Sequence, residues 1–401
     1  MRFNDTPELA TWRTTVKEFV KTHWEGEGEA YSEAGDIAVP TAADRDRMAA
    51  REAKTQKWLN ELAKPGWLAA AWPKKYGGAD MSVLEQFVLN SELHEVGAPV
   101  SRQMLNLVGP TIMLHGTDDQ KAEHLPPMLR GEVNWCQGFS EPGSGSDLAS
   151  LQTRAVRDGD DYVVNGQKIW TSGAHRADWM FILTRTDPDA PKHRGISYLL
   201  LNMKQPGVQV RPLINLADGH VFNEVFFEDV RVPVRNRIGE ENRGWYVGTT
   251  TLDFERSNIA RAITARHSVE HLTKYLKSRT KAGAPVSDAY RLEVADRAVE
   301  TAVCELLSFV VISIQAKGGV PNMEASMCKM YGSELSQRLA YTSMHVTGLK
   351  GQLRRQAGLE LEAELTPAMS YMSTVPATIA AGSSEIQRNI IATRGLGLPR
   401  G

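Results

Sequence analysis

Four clusters in the chain combine residue types with spacing that chemistry could use. The densest runs Gly138-Phe139-Ser140-Glu141-Pro142-Gly143-Ser144-Gly145-Ser146-Asp147. Its glycines and small side chains let backbone approach a ligand closely, and successive N–H groups can cradle anionic or carbonyl oxygens. It lacks the third glycine and the surrounding βα unit of a dinucleotide fingerprint, so an ordinary Gly/Ser loop is the competing reading. Next, Asn165-Gly166-Gln167-Lys168-Ile169-Trp170-Thr171-Ser172-Gly173 sets an indole beside hydroxyls. That suits a planar heterocycle, although a Trp on a barrel strand can equally be core. In the third cluster, Thr251-Leu252-Asp253-Phe254-Glu255-Arg256-Ser257, Asp253 and Arg256 share a helix face and could pair or jointly hold a polar ligand. Glu255 sits on another azimuth, near apolar Leu252 and Phe254. A carboxylate against apolar surface has a raised pKa, as a general base needs; a solvated helix carboxylate is the alternative. The fourth, His267-Ser268-Val269-Glu270-His271, has the H-x-x-E-H zinc-protease spacing. No further ligand motif follows it, and helical His pairs on solvated faces are common. Cys136 reads as a small buried residue rather than a nucleophile.

The bulk properties limit what such clusters can serve. The 401 residues exceed one ordinary core and suggest two or three domains. With 46 Lys plus Arg against 48 Asp plus Glu, no basic surplus exists for nucleic acid. Apolar residues at 42% and charged residues at 23% are those of a globular chain rather than a disordered one. Three scattered cysteines make neither a disulfide framework nor a zinc knuckle and fit a reducing compartment. Charged residues interrupt each apolar stretch, so no membrane span is expected. Met1–Asp5 lack the layout of a signal peptide, and a cytoplasmic location is expected.

Elements to position the clusters follow from periodicity. From Pro7 to about Gly131 apolar residues recur at helical spacing, with breakers at Pro65-Gly66, Pro73, Gly77-Gly78, Gly97–Pro99 and Pro126-Pro127. Asp118-Asp119 marks a helix start, and 30–43 reads as a loop. From Asn134 to about Arg237 the runs shorten. Ala155–Arg157 and Tyr162–Asn165 flank Asp158-Gly159-Asp160-Asp161, a hairpin, and strands follow at Trp179–Thr184, Ile196–Leu201, Val208–Leu213 and Val221–Phe227. Long helical patterns return over Trp245–Ser278, Asp288–Gly318 and Met323–Thr347, with a last helix from Ser383-Ser384-Glu385. The expected fold class is α+β multidomain. A helical domain (1–131) precedes an antiparallel β-barrel or sandwich (132–237) and a four-helix bundle (238–401).

In this order the clusters resemble the acyl-CoA dehydrogenases. The resemblance spans nearly the whole chain. Gly66-Trp67, Trp72-Pro73 and Tyr76-Gly77-Gly78 match the family's N-terminal motif. Phe139-Ser140-Glu141-Pro142 with Gly145-Ser146-Asp147 matches the first flavin motif, and Lys168-Ile169-Trp170 opens the second. Val225–Pro233 with Ile238-Gly239-Glu240, and Gly382–Ile391, complete the set. The resemblance implies FAD, an acyl-CoA substrate, α,β-dehydrogenation and reoxidation by an electron-transfer flavoprotein. It also implies that Phe139 and Ser140 contact the isoalloxazine, with Trp170 and Ser172 closing the other side. Ser146 would bind the pantetheine region, Asp253 and Arg256 would lie near the thioester arm, and Arg279 would reach the FAD pyrophosphate of a neighbouring subunit. Ser383 and Glu385 would lie near the FAD.

Three positions depart from the family pattern. Many members carry the catalytic Glu where this chain has Ala381; others use the position of Glu255, which is therefore the expected base. Ala282 replaces the usual aromatic of an Arg-x-x-Phe-Gly motif, and His345-Val346-Thr347-Gly348-Leu349 replaces Gln-x-x-Gly-Gly. A homo-oligomer is the default expectation. The last two departures raise its alternative, a hetero-oligomer with a second dehydrogenase subunit. An oxygen-reactive oxidase or monooxygenase of the same fold is the rival enzyme, and a non-catalytic partner subunit the rival outside catalysis.

Overall fold

The structure is a computed structural model that describes residues 5–26, 36–37, 42–100, 104–253, 259–353 and 367–399. In chain order the elements are α1 (Pro7–His23), β1 (Asp36–Ile37), α2 (Ala42–Ala63), α3 (Val83–Glu95), α4 (Leu105–His115) and α5 (Asp118–Arg130). A strand-rich stretch follows: β2 (Trp135–Gly138), β3 (Arg154–Asp158), β4 (Asp161–Lys168), β5 (Trp179–Arg185), β6 (Ile196–Asn202), β7 (Val208–Ile214), β8 (Gly219–Pro233) and β9 (Arg237–Ile238). The rest is helical: α6 (Gly244–Asp253), α7 (Ile259–Lys281), α8 (Asp288–Gln315), α9 (Asn322–Thr347), α10 (Pro367–Thr374) and α11 (Ser384–Ile390). The expected succession of helices, sheet and helices is what the chain forms.

Packing gathers these elements into two compact units, one from the described residues of 31–81 and 99–255, the other from 1–30, 82–98 and 256–401. The first is built on a nine-stranded sheet of order β1-β8-β4-β3-β5-β6-β9, with β2 added to β5 and β7 to β8. Most pairs are antiparallel as expected, but β2 and the start of β3 run parallel to β5. The hairpin forms at Asp158↔Asp161, where Gly159 takes φ +63°. Tyr162, Val164, Met180, Ile182, Leu199 and Val225 alternate inward to make the core. α5 joins this unit through a Thr117/Gln120 capping box, and the Gln120 amide donates to the carbonyls of Arg235 (2.6 Å) and Arg237 (2.9 Å).

Two expectations are corrected here. Pro126-Pro127 do not separate helices; both lie inside α5. The carbonyls they would deprive of donors belong to Ala122 and Glu123, which are exposed, so water can satisfy them. Of the expected loop at 30–43, residues 36–37 form β1, paired with His220 and Gly219 of β8; the intervening positions 30–35 and 38–41 lie outside the described residues.

The second unit is a helical assembly in which α7, α8 and α9 pack together with α3. Phe87, Ile259, Ile263, Cys304, Ile312 and Leu335 form its centre. Ser82 and Glu85 make a reciprocal capping box that starts α3, and the Trp12 indole N–H on α1 donates to the Glu85 carbonyl at 3.0 Å. The long helices begin and end near Gly283–Pro285 and Gly318–Pro321, as the breakers indicate. Against expectation, α8 is long and apolar enough to cross a membrane by length and composition. In the fold it buries Val294, Thr301, Cys304, Ser308 and Val311, while Leu292, Val299 and Leu306 stay exposed. All three cysteines are buried.

Candidate active site

The two flavin motifs meet in the sheet unit. Leaving β2, the chain turns through Phe139 and Ser140. The Phe139 ring is 6% exposed and packs edge-on to Phe181 and Tyr198, which leaves its backbone rather than its ring for a ligand. β4 brings the second motif alongside. The ladder between β4 and β8 shifts register between Val164 and Gly166, the extra residue lying on β8, and Gly166 at φ +148° lets β4 pass close to Thr153. Further along, the Ile169 N–H donates to the Ser140 carbonyl at 3.0 Å.

Lys168 points into the space between the two motifs and is fully buried. Its ammonium donates to the Phe139 carbonyl (3.0 Å) and to Glu141 Oε1 (2.8 Å). The Glu141 carboxylate also accepts from the Gln152 N–H (2.6 Å) and Thr153 N–H (2.8 Å). Burial lowers the Lys168 pKa to about 8 against the pull of Glu141. For Glu141, burial works the other way, but the charge and hydrogen bond of Lys168, the Thr153 side chain and the Gln152 N–H outweigh it and hold the carboxyl below its ordinary value. Beside them, Glu141, Ser144, Gln152 and Gly166 line a cleft of about 500 Å³.

Trp170 follows at once. It is 60% exposed, so it is not a core residue, and it stands edge-on to Phe222 at 6.0 Å. Its φ is +58°, a left-handed conformation that a bulky side chain rarely takes. Asn223 fixes the chain on the far side: its carbonyl accepts from the Thr171 N–H (3.1 Å), and its side-chain amide donates to the Thr171 carbonyl (3.0 Å). The stacked rings of His175 and His220, 4.1 Å apart, flank the Asn223 amide. The Thr171 hydroxyl is buried without a partner, and Ser140 and Ser172 are half-buried. An exposed indole, an unsatisfied hydroxyl and two nearby serines fit a planar group with a polar edge, as the isoalloxazine is.

The remaining expected residues fall as follows. Ser146 is exposed, next to Asp147, which pairs with Lys192. Asp253 ends α6, while Glu255, Arg256 and the expected Asp253–Arg256 pair lie outside the described residues. In the helical unit, Arg279 lies in the last turn of α7, its guanidinium 3.5 Å from the Tyr275 hydroxyl, and with Tyr290, His345 and Gly348 it lines a cleft of about 180 Å³. Ser383 caps α11, accepting from the Ile386 N–H at 3.3 Å. Glu385 is held below its ordinary pKa by its own backbone N–H and the Ser383 hydroxyl. Ala381, at the position where many members carry their base, has φ +52°. The loop it belongs to is tied by Lys329, whose ammonium reaches the Gly382 carbonyl at 2.6 Å, and by the Gln387 amide. Of the zinc-like motif, Glu270 pairs with Arg266 at 3.2 Å and His267 faces Glu95 at 3.5 Å. Cys136 is fully buried, and burial raises its thiol well above its ordinary pKa, as expected of a small core residue.

Three sequence profiles cover the chain: the acyl-CoA dehydrogenase N-terminal domain over residues 6–132, the middle domain over 136–230 and the C-terminal domain over 242–396. The chain belongs to the acyl-CoA dehydrogenase family. It is 34% identical to the acyl-CoA dehydrogenase IpdE1 of Mycobacterium tuberculosis over 98% of both chains. It is 37% identical to the acyl-CoA dehydrogenase FadE26 of the same organism, over 85% of this chain and 87% of the relative. Among solved structures, the Tcur3481–Tcur3483 steroid ACAD matches with TM-score 0.85 and 30% identity over the whole of both chains. The ChsE4–ChsE5 complex from Mycobacterium tuberculosis matches with TM-score 0.82 and 33% identity, also over both whole chains. The protein is thus an FAD-dependent acyl-CoA dehydrogenase, an oxidoreductase that introduces an α,β double bond into an acyl-CoA thioester. The oxidase and monooxygenase readings give way to this one.

Sequence reasoning missed Asn223 and Lys329 and quoted Lys168 only as a motif letter. Lys168 and Glu141 are 27 positions apart, and only the pairing of strands brings them together.

Proposed function

We propose that this chain is one subunit of a hetero-oligomeric acyl-CoA dehydrogenase that oxidises a steroid-derived acyl-CoA, with Glu255 as base. Bound FAD supplies the acceptor for the β-hydride. Glu255 takes the α-proton on a carboxylate oxygen, Ser146 binds the pantetheine region, and Asp253 with Arg256 orients the thioester arm. Ser140, Trp170 and Ser172 bracket the isoalloxazine with the Phe139 backbone, while Ser383 and Glu385 lie near the FAD. The domains run over 1–131, 132–237 and 238–401, the enzyme works in the cytoplasm, and an electron-transfer flavoprotein removes the electrons.

The observation that carries the hetero-oligomer is the state of the edge that would serve a neighbour's FAD. Arg279 is present there, but Ala282 is a small exposed residue, and Leu349, 82% exposed, stands where glycine is usual. The two solved relatives each carry two chain names, and one is called a steroid ACAD. The apolar outer face of α8 is surface that a partner can cover. Expression alone and with candidate partner dehydrogenases, followed by FAD stoichiometry and turnover on steroid and straight-chain acyl-CoAs, tests the proposal. Full FAD loading and turnover by the chain alone would refute the hetero-oligomer; a preference for straight chains would refute the substrate.

A further inference from the structure

Two separate oddities occupy one short stretch: a fully buried lysine, and two residues later a tryptophan with left-handed backbone. A strained backbone persists only where its surroundings over-determine it. Here the chain is held on both sides of Trp170. Upstream, the Lys168 ammonium and the Ile169 N–H take the carbonyls of Phe139 and Ser140 in turn. Downstream, Asn223 grips both polar groups of the Thr171 backbone. The Glu141 carboxylate completes the anchor by binding the Gln152 and Thr153 N–H groups, so that Lys168 ties three segments to one point. A buried ion pair is weak evidence for stability, because replacing one by apolar residues of similar volume is often neutral or stabilising. What an apolar pair could not do is fix the Phe139 carbonyl, and with it the direction in which Ser140 leaves β2.

We propose that Lys168 is a positioning residue for the flavin site, its ammonium locking the Phe139–Ser140 loop to the strand end that carries Trp170. The inference rests on the reading that Ser140, Trp170 and Ser172 line the isoalloxazine. Lys168 itself does not touch the reacting atoms. It sets the separation of the two walls, and through them the affinity, visible spectrum and reduction potential of the bound flavin.

The test uses the full chain in its FAD-containing assembly and three variants. Glu141→Gln/Lys168→Met removes the ion pair at near-constant volume. It should keep the thermal unfolding midpoint of the apoprotein yet bind FAD about tenfold more weakly or worse, with an altered visible circular dichroism spectrum and a displaced potential. Lys168→Gln, which can still donate to the Phe139 carbonyl, should recover part of the affinity and the spectrum. Trp170→Ala should weaken FAD binding and raise flavin fluorescence, because it removes an aromatic face. If Trp170→Ala leaves the flavin unaltered, the lining of the site is misread and the inference falls with it. If Trp170→Ala acts but the double variant keeps wild-type affinity, spectrum and potential, only the role of Lys168 is overturned. Should the double variant not fold, a fourth variant, Lys168→Met, which has no donor for the Phe139 carbonyl, decides by the same readouts, and wild-type values for all of them overturn the proposal.

Discussion

A single carboxylate carries the proton chemistry in this reading. An α-proton beside a thioester is far too weakly acidic for a carboxylate in water, so the base must be desolvated and the thioester oxygen hydrogen-bonded. Ala381 has no group to accept a proton, and the Glu385 carboxylate is already engaged by Ser383 and its own backbone. Glu255 is the remaining carboxylate at a position that related enzymes use. Glu255→Gln keeps its size and loses its basicity, so turnover should fall by about 100-fold to 10,000-fold with FAD content unchanged. A variant that turns over at the wild-type rate with FAD bound would remove Glu255 from the mechanism.

The strands and helices show why part of this site was legible and part was not. The hairpin at 158–161 was readable because a Gly-containing tight turn and flanking β-branched residues are local signals, and they are met at the register Asp158↔Asp161. The capped start of α11 at Ser383 was equally local. What failed was long-range. Pro126 and Pro127 look like breakers in isolation, and only the exposure of their turn makes them tolerable in α5. Likewise, a lysine on a strand reads as a surface residue until the fold places Glu141 opposite it. Strand alternation puts Lys168 on the inward face with Tyr162 and Val164, and the strand has its own requirement at Gly166, where a Cβ would sit 2.7 Å from the Thr153 hydroxyl and 2.8 Å from its Cα. Gly166→Ala combines that clash with an unfavourable φ and should lower stability by about 1–3 kcal/mol in urea unfolding, with weaker FAD retention. Equal stability and retention would mean that β4 and Thr153 can move apart enough to admit a Cβ.

At the scale of the whole molecule, the buried pair makes the sheet unit sensitive to acid. The Glu141 carboxyl titrates below its ordinary 4.5 when folded, so below that pH the unfolded chain binds more protons than the folded one. Its stabilising contribution is complete above 4.5 and disappears as pH falls through the folded value. Acid titration of stability should therefore be less steep for Glu141→Gln/Lys168→Met than for wild type; matching slopes would show that other carboxylates govern the acid limb.

The placement of the three thiols has a further use. Cys136 lies in the sheet unit, Cys304 and Cys328 in the helical one, and each is 0% exposed. Burial raises the Cys136 thiol far above its ordinary value and that of Cys304 to about 12, so neither reacts while its surroundings stay closed. Each sulfur is thus a natural clock for the opening of its own half of the protein. Mass-resolved alkylation over time needs no engineered probe. It should show Cys136 and the Cys304–Cys328 neighbourhood reacting at two different rates, and FAD should slow both. A single shared rate would mean that the two halves open together.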